Sequence, residues 1–212
     1  MIGLIKKDLY LIVRSFNLAY LLAFLMFTIP TALNAKMFFP MLALWLAIIC
    51  ATQISSAMTL DEEIDWRRLV SYMPISVHAE VGAKYLLSYF LTAISGILML
   101  VIGYTFSLVI PSLEERRHEI LLYTIVCLCL CLLYNAIMIP ATYKFGSVKG
   151  KVILLLFIAL LPLIGILLMK GFNNISNSVI AGRSVVRFLV IIDLVLVELA
   201  SYVLALKFRD GS

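Results

Sequence analysis

Two acidic residues inside one apolar run are the side chains best placed to do chemistry. Asp193 and Glu198 lie in Phe188–Leu206, a run long enough to cross a membrane as a helix. A carboxylate near the bilayer centre costs about 2.5–3.5 kcal/mol on insertion scales, so it usually faces the interior of a helix bundle. We expect these acids either to line a substrate pathway together with Asn135, or to be satisfied inside the protein by a hydrogen bond to a group such as Asn135 or Gln53 or by taking up a proton.

Histidine and cysteine do not supply a second reactive set. The chain has two histidines, His78 and His118, and they fall in different loops. Helical spacing places only two of the last three cysteines on one face. All four cysteines lie in apolar runs, which favours buried free thiols over a metal site or a disulfide: Cys50, Cys127, Cys129 and Cys131. We therefore expect neither a catalytic residue nor a bound metal on this chain.

Two short motifs resemble parts of enzymes, and both are incomplete. The stretch Glu62–Arg67 reads E-E-x-x-x-R, which resembles a motif of intramembrane proteases related to the prenyl-protein processing enzymes. Those enzymes need histidines on other helices, whereas we expect His78 and His118 in the polar connections between spans. In Gly146–Val152, three residues separate the glycines and Val follows Lys, so the spacing of a phosphate-binding loop is not met. The sequence therefore predicts no ATP-hydrolysing site on this chain.

The elements that must position the acidic residues are membrane helices. Hydrophobic residues make up 64% of the chain, more than a soluble domain of this size can bury. Within the apolar runs, apolar and polar residues do not alternate position by position, so the pattern of β-barrel strands is absent. We predict an all-α integral membrane protein in which residues 1–212 form one transmembrane domain. Its six spans are Leu18–Leu33, Met37–Leu60, Leu86–Ile110, Ile120–Tyr143, Val152–Met169 and Phe188–Leu206.

The basic residues are unevenly distributed between the two sides of the membrane. With six spans, 11 of the 17 Lys and Arg residues fall on the side of the termini and six on the other. The positive-inside rule then places both termini in the cytoplasm, and a bacterial cell membrane is the expected location. The net charge of +5 follows from this bias, so nucleic acid is not an expected partner. The six residues of the opposite side are Lys36, Arg116, Arg117, Lys170, Arg183 and Arg187.

Residues 1–17 have the pattern of an amphipathic helix. Lys7 and Arg14 lie opposite an apolar face, which indicates a helix lying in the membrane interface. The alternative is an extension of the first span that packs on its neighbours. The predicted apolar face consists of Ile2, Ile5, Leu9, Ile12, Val13 and Phe16.

The longest polar interval, residues 61–85, lies between the second and third spans and contains eight of the 29 charged residues. The acidic residues Asp61, Glu62 and Glu63 favour the start of a short helix. Pro74 ends that helix and Ser76 can cap the next one. The short helix presents an apolar face that either packs on its own protein or meets a soluble partner: Trp66, Leu69, Val70 and Met73.

The order of residues in this interval resembles the cytoplasmic loop of small six-helix permease subunits of bacterial ABC-type exporters. The pattern D-E-x-x-x-W-x-x-L, followed by P-I-S and E-V-x-x-K-Y, begins at Asp61 and ends at Tyr85. The opening G-L-I-K-K-D-L-Y, Gly3–Tyr10, also resembles the start of such permeases. The resemblance covers essentially the whole chain. Permeases of this kind include those of exporters of phenol-soluble-modulin-type peptides. The basic residue that usually follows P-I-S is replaced here by Val77 and His78.

The resemblance implies a division of labour between chains. Two permease chains, identical or different, would form the pathway in the bilayer, and two ABC ATP-binding subunits would dock beneath them. ATP and Mg would bind to those subunits, and no cofactor to this chain. The substrate would be an amphipathic or hydrophobic molecule, most simply a peptide. The residues expected to couple to the ATPase are Asp61, Glu62, Glu63, Trp66, Arg67, Leu69 and Pro74.

Two other functions fit parts of the sequence. An ion- or proton-coupled carrier could use Asp193 and Glu198, although paired halves with broken helices are not evident. A membrane anchor or immunity protein would need no transport pathway. It would also not need the two acids in the last span, so their presence disfavours this function.

Overall fold

A computed structural model describes residues 2–15, 24, 26, 28, 35–152 and 183–210. These residues form helices joined by short turns, and no strand occurs among them. The longest helix has 33 residues, and a 3-10 turn at Arg117–Glu119 precedes α6. The helices whose two ends lie among the described residues are α1 (Ile2–Ser15), α2 (Ala35–Glu63), α3 (Trp66–Ser71), α4 (Val77–Val109), α5 (Pro111–Glu114), α6 (Ile120–Phe145) and α7 (Arg183–Asp210).

Three of the described helical stretches are long and apolar enough to cross a membrane: Lys36–Glu63, Val77–Val109 and Arg117–Phe145. They contain the second and fourth spans predicted from hydropathy and all of the third except Ile110. The sixth predicted span lies within α7, which has 28 residues. The first and fifth, at residues 18–33 and 152–169, fall almost entirely outside the described residues. The part of the chain that the structure describes is therefore all-helical, with helices of the length and apolarity that a membrane protein needs.

The connection between α2 and α4 differs from its prediction at one end. The acidic residues do not start the short helix, because α2 continues through them to Glu63. The break comes at Asp65, whose φ of 52° is left-handed, a conformation that Asp tolerates better than most residues. At the other end the prediction is confirmed: α3 stops at Ser71, ahead of Pro74. The Ser76 side chain then caps α4 by accepting a hydrogen bond from the backbone N–H of Ala79, at 3.2 Å.

The chain divides into two compact units, residues 1–135 and 136–212. The first unit has an apolar core that α2, α4 and the first half of α6 share. Phe38 and Phe39 at the start of α2 are fully buried in it, and Phe38 also contacts the ring of Phe106. The other large buried members of this core include Leu42, Met99, Leu113 and Ile120.

Small residues let α4 approach α6 closely inside the first unit. A Cβ added to Gly96 would lie 2.9 Å from Leu128 Cδ2, and one added to Gly103 would lie 3.1 Å from Ile120 Cγ2. Ser88, like these glycines, is buried. These small residues of α4 therefore allow close packing between two helices of the same chain.

The cysteines of α6 occupy the faces that their spacing predicts. Cys127 and Cys131 are buried side by side around Ser95 of α4, whose Oγ lies 3.3 Å from Cys131 Sγ and 3.8 Å from Cys127 Sγ. Cys129 is half-buried, and all four cysteines are free thiols. Their surroundings are those of packing residues.

The second unit contains the end of α6, the helical residues 147–152 and α7. Ser201 Oγ of α7 donates a 2.6 Å hydrogen bond to the backbone oxygen of Ala136, which joins α7 to α6. The chain turns at Gly146, where φ is 83°, a value that favours glycine. Lys144 Nζ lies 4.8 Å from the ring centroid of Phe208 near the end of α7.

Candidate functional site

The polar interval between α2 and α4 packs against α1. Four charged side chains meet where these helices come together: Lys7 and Asp8 from α1, Asp61 from the last turn of α2 and Lys84 from the third turn of α4. Asp8 comes from the stripe that α1 buries, together with Leu4 and Ile12 at four-residue spacing. We call Lys7, Asp8, Asp61 and Lys84 the ion-pair ring.

Each lysine of the ion-pair ring contacts both aspartates. Lys84 Nζ lies 2.9 Å from Asp8 Oδ1 and 2.5 Å from Asp61 Oδ2. Lys7 Nζ lies 2.6 Å from Asp61 Oδ1 and 3.1 Å from Asp8 Oδ1. The side chains of Lys84 and Asp8 are only 4% and 2% exposed. Two cations and two anions leave the ring neutral, so each buried charge is compensated by partners on other helices.

Trp66, the first residue of α3, extends this arrangement. Lys7 Nζ lies 3.7 Å from the centroid of the Trp66 ring, the geometry of a cation–π contact. The indole Nε1 is buried without a hydrogen-bond partner among the described residues. Trp66 is thus turned towards α1, and it adds α3 to the helices that Lys7 holds together.

A groove runs between α1 and this connection. Its volume is about 570 Å³, within the range of small-molecule sites, and Lys7 and Trp66 contribute to its wall. Gly3 opens it further, because apart from its chain neighbours and the backbone of its own helix no atom lies within 4 Å of the position its Cβ would take. The other lining residues are Leu4, Pro74, Ile75, Ser76 and Ala79.

The outer surface of the connection is a mixture of charged and large apolar side chains. Tyr72 is 78% exposed, Ile64 is 51% exposed, and Leu69 and Met73 are both 44% exposed. Val70 is buried and holds α3 in place. We call Ile64, Leu69, Tyr72 and Met73 the exposed apolar surface. Apolar side chains of this size at a polar helix connection indicate a contact with another molecule.

The residues expected to couple to an ATPase do not share one environment. Asp61 is buried in the ion-pair ring and Trp66 is half-buried beneath Lys7. Glu62, Glu63, Leu69 and Pro74 are exposed, and the side chain of Arg67 lies outside the described residues. Sequence reasoning missed the partnership of Lys7, Asp8 and Lys84. The available signal was Asp8, an acid in line with Leu4 and Ile12.

The expected pathway residues fall in both units. In the first unit, Asn135 is buried, and its Oδ1 has no hydrogen-bond partner among the described residues. Gln53 is buried too, and its Oε1 and Nε2 also have no hydrogen-bond partner there. In the second unit, Glu198 is buried on α7, whereas the side chain of Asp193 lies outside the described residues. Among the residues that the structure describes, no group of three or more His, Cys, Asp or Glu could hold a metal ion.

Long apolar helices and a charged connection bound to an amphipathic helix define a helical protein embedded in a membrane. Comparison with protein-family models matches residues 3–208 to the ABC-2 family transporter protein. The chain therefore belongs to the ABC-2 transporter family, whose members are transmembrane components that work with an ABC ATP-binding partner. No curated protein and no solved structure shows significant similarity to it.

Proposed function

We propose that this chain is the permease subunit of an ATP-driven exporter and that the connection between α2 and α4 is where the ATP-binding subunit docks. The family match over residues 3–208 is the observation that carries this proposal. The exposed apolar surface supports it, since Tyr72 and Leu69 offer side chains that a soluble partner can cover. Two permease chains, each with six spans, and two ATPase subunits complete the proposed transporter.

The same proposal includes the orientation of the chain in the membrane. Both termini and the docking connection face the cytoplasm of a bacterial cell, because 11 of the 17 Lys and Arg residues then lie on the cytoplasmic side. This arrangement places the connection where a soluble ATPase has access to it.

The ion-pair ring supports a way of passing force into the membrane. An ATPase that moves α3 also moves Trp66, which lies against Lys7. Lys7 is bonded to Asp61 at the end of α2, and Lys84 links the same aspartate to α4. Movement at α3 therefore reaches two membrane helices and α1 through short polar contacts, which resist stretching better than a flexible loop.

Copurification tests the proposed partnership. The full-length chain, isolated from native membranes in mild detergent, should bring down a soluble ATPase in stoichiometric amount, and hydrolysis should increase after reconstitution in lipid. A well-folded chain that carries no ATPase would contradict the proposal. An ion- or proton-coupled carrier would then be the better interpretation.

We further propose that the substrate is an amphipathic or hydrophobic peptide and that Glu198, with Asp193 and Asn135, contributes to its path. Two observations support this: the resemblance to peptide-exporting permeases and the burial of Glu198 near the middle of the last predicted span. A carboxylate in that position favours cationic groups over neutral ones, because charge attraction is strong where water is excluded.

Replacing Glu198 with glutamine tests the substrate proposal. Glu198→Gln should reduce export of a cationic amphipathic peptide by at least about tenfold, since a hydrogen bond to a charged group contributes about 1.5–3 kcal/mol. Export of a neutral peptide of the same length should change little. Glu115→Gln, which alters an exposed acid outside the three candidate spans, is the matched control. Equal loss for both peptides would contradict a role in charge recognition.

A further inference from the structure

The outer face of α1 is exposed and carries both charge and apolar side chains. Lys6 and Arg14 are exposed, and neither forms an ion pair with a described residue. Between them lies Tyr10, which is 66% exposed, and beside them are Leu9 and Val13, 40% and 69% exposed. We call Lys6, Leu9, Tyr10, Val13 and Arg14 the outer face of α1. This face points away from the stripe through which α1 packs on the protein.

Helical geometry separates the outer face into two rows. Lys6, Tyr10 and Arg14 follow one another at four-residue spacing, which places them along one line about 12 Å long. Leu9 and Val13 form a second row on one flank of this line. A row of basic and phenolic groups beside an apolar row matches the boundary between phospholipid headgroups and acyl chains, where such helices lie.

The ion-pair ring fixes the depth at which this face meets the bilayer. It ties Lys7 and Asp8, in the middle of α1, to Asp61 and Lys84. Asp61 lies two residues before the end of the stretch Lys36–Glu63, and Lys84 is the eighth residue of α4. Both positions are at the ends of helices that can cross a membrane. The outer face of α1 is therefore held at the level of the headgroups.

The basic row indicates which headgroups bind there. We propose that the outer face of α1 is a binding site for anionic phospholipid, with Lys6 and Arg14 contacting the phosphate groups, Tyr10 at the interface, and Leu9 and Val13 in contact with the acyl chains. The excess of basic residues on the proposed cytoplasmic side is consistent with this choice. The proposal concerns the lipid contacts of this chain, and it can be tested in the absence of any ATPase.

Lipid selectivity of the full-length chain provides the test. We would reconstitute it in phosphatidylcholine bilayers and measure the association of spin-labelled phosphatidylglycerol relative to spin-labelled phosphatidylcholine. The wild-type chain should prefer phosphatidylglycerol. In the double variant Lys6→Gln/Arg14→Gln, the association of phosphatidylglycerol relative to phosphatidylcholine should fall about fivefold for each charge removed. Each basic residue near an anionic surface contributes about 1 kcal/mol. High salt should weaken the preference of the wild-type chain, because exposed charges are screened.

A matched variant separates a site from general surface charge. Lys149→Gln/Lys151→Gln removes the same charge from two other exposed lysines and should keep the preference for phosphatidylglycerol. Equal losses in both double variants, or an unchanged preference in Lys6→Gln/Arg14→Gln, would overturn the proposal. Loss of ATPase copurification in Lys6→Gln/Arg14→Gln with unchanged lipid selectivity would also overturn it, since the face would then bind protein.

Discussion

Replacing Lys84 with methionine should destabilise the chain by about 3–5 kcal/mol, the usual result of removing one partner from a buried ion pair. The ammonium group of Lys84 is the 2.9 Å partner of Asp8 and the 2.5 Å partner of Asp61. Without it, two carboxylates share Lys7 as their only remaining cation in the ion-pair ring, and the Asp8 side chain is only 2% exposed. The free energy of unfolding, measured in a bilayer mimetic, tests this expectation.

A second substitution separates loss of charge balance from loss of packing. The double variant Asp8→Asn/Lys84→Met leaves one cation and one anion, Lys7 and Asp61, which are already 2.6 Å apart. It should therefore be more stable than the sum of the two single variants predicts, by about 0.5–3 kcal/mol. Strictly additive effects would show that the ring members do not depend on one another. Lys149→Gln, which alters an exposed lysine, should leave the stability unchanged.

The pairing between helices in the ion-pair ring could not have been predicted from the sequence, because the partners on different helices are far apart along the chain. Lys7 and Asp61 are separated by 54 positions, and Asp8 and Lys84 by 76. Hydropathy also did not separate the face of α1 that packs on the protein from the apolar face that the rest of the chain leaves exposed. The pattern favoured a face that includes Leu9 and Val13, whereas Asp8 is buried and those two are exposed. In a membrane protein both lipid and protein accept apolar side chains, so hydrophobicity alone does not distinguish a packed face from a lipid-facing one.

Features that depend on local physics were predicted correctly. The second, third and fourth spans follow from hydropathy, because a helix in lipid must satisfy its own backbone and cover itself with apolar side chains. Ser76 caps α4 and Pro74 follows the end of α3, as their backbone preferences indicate. The predicted start of α3 was wrong because acidic residues can also occupy the last turn of a helix when a lysine lies nearby. Asp61 has two such lysines, Lys7 and Lys84, on other helices.

The exposed apolar surface should be the contact on which the ATPase depends. Substituting Leu69→Ser and Tyr72→Ser together should reduce copurification of the ATPase by at least about thirtyfold, because a single buried hot-spot residue in an interface contributes about 2 kcal/mol or more. Both side chains are exposed, at 44% and 78%, so the chain itself should keep its stability. Transport in reconstituted vesicles should fall in parallel, since an undocked motor cannot move α3.

Tyr10→Ser is the matched control for this surface. Tyr10 is also a largely exposed tyrosine, at 66%, but it lies on the outer face of α1, which we assign to lipid. Its replacement should leave ATPase copurification near the wild-type level. If Leu69→Ser/Tyr72→Ser retains the ATPase and transports normally, the docking contact lies elsewhere. The groove lined by Trp66 and Pro74 would then be the next surface to alter, because it adjoins α3 and opens beside the ion-pair ring.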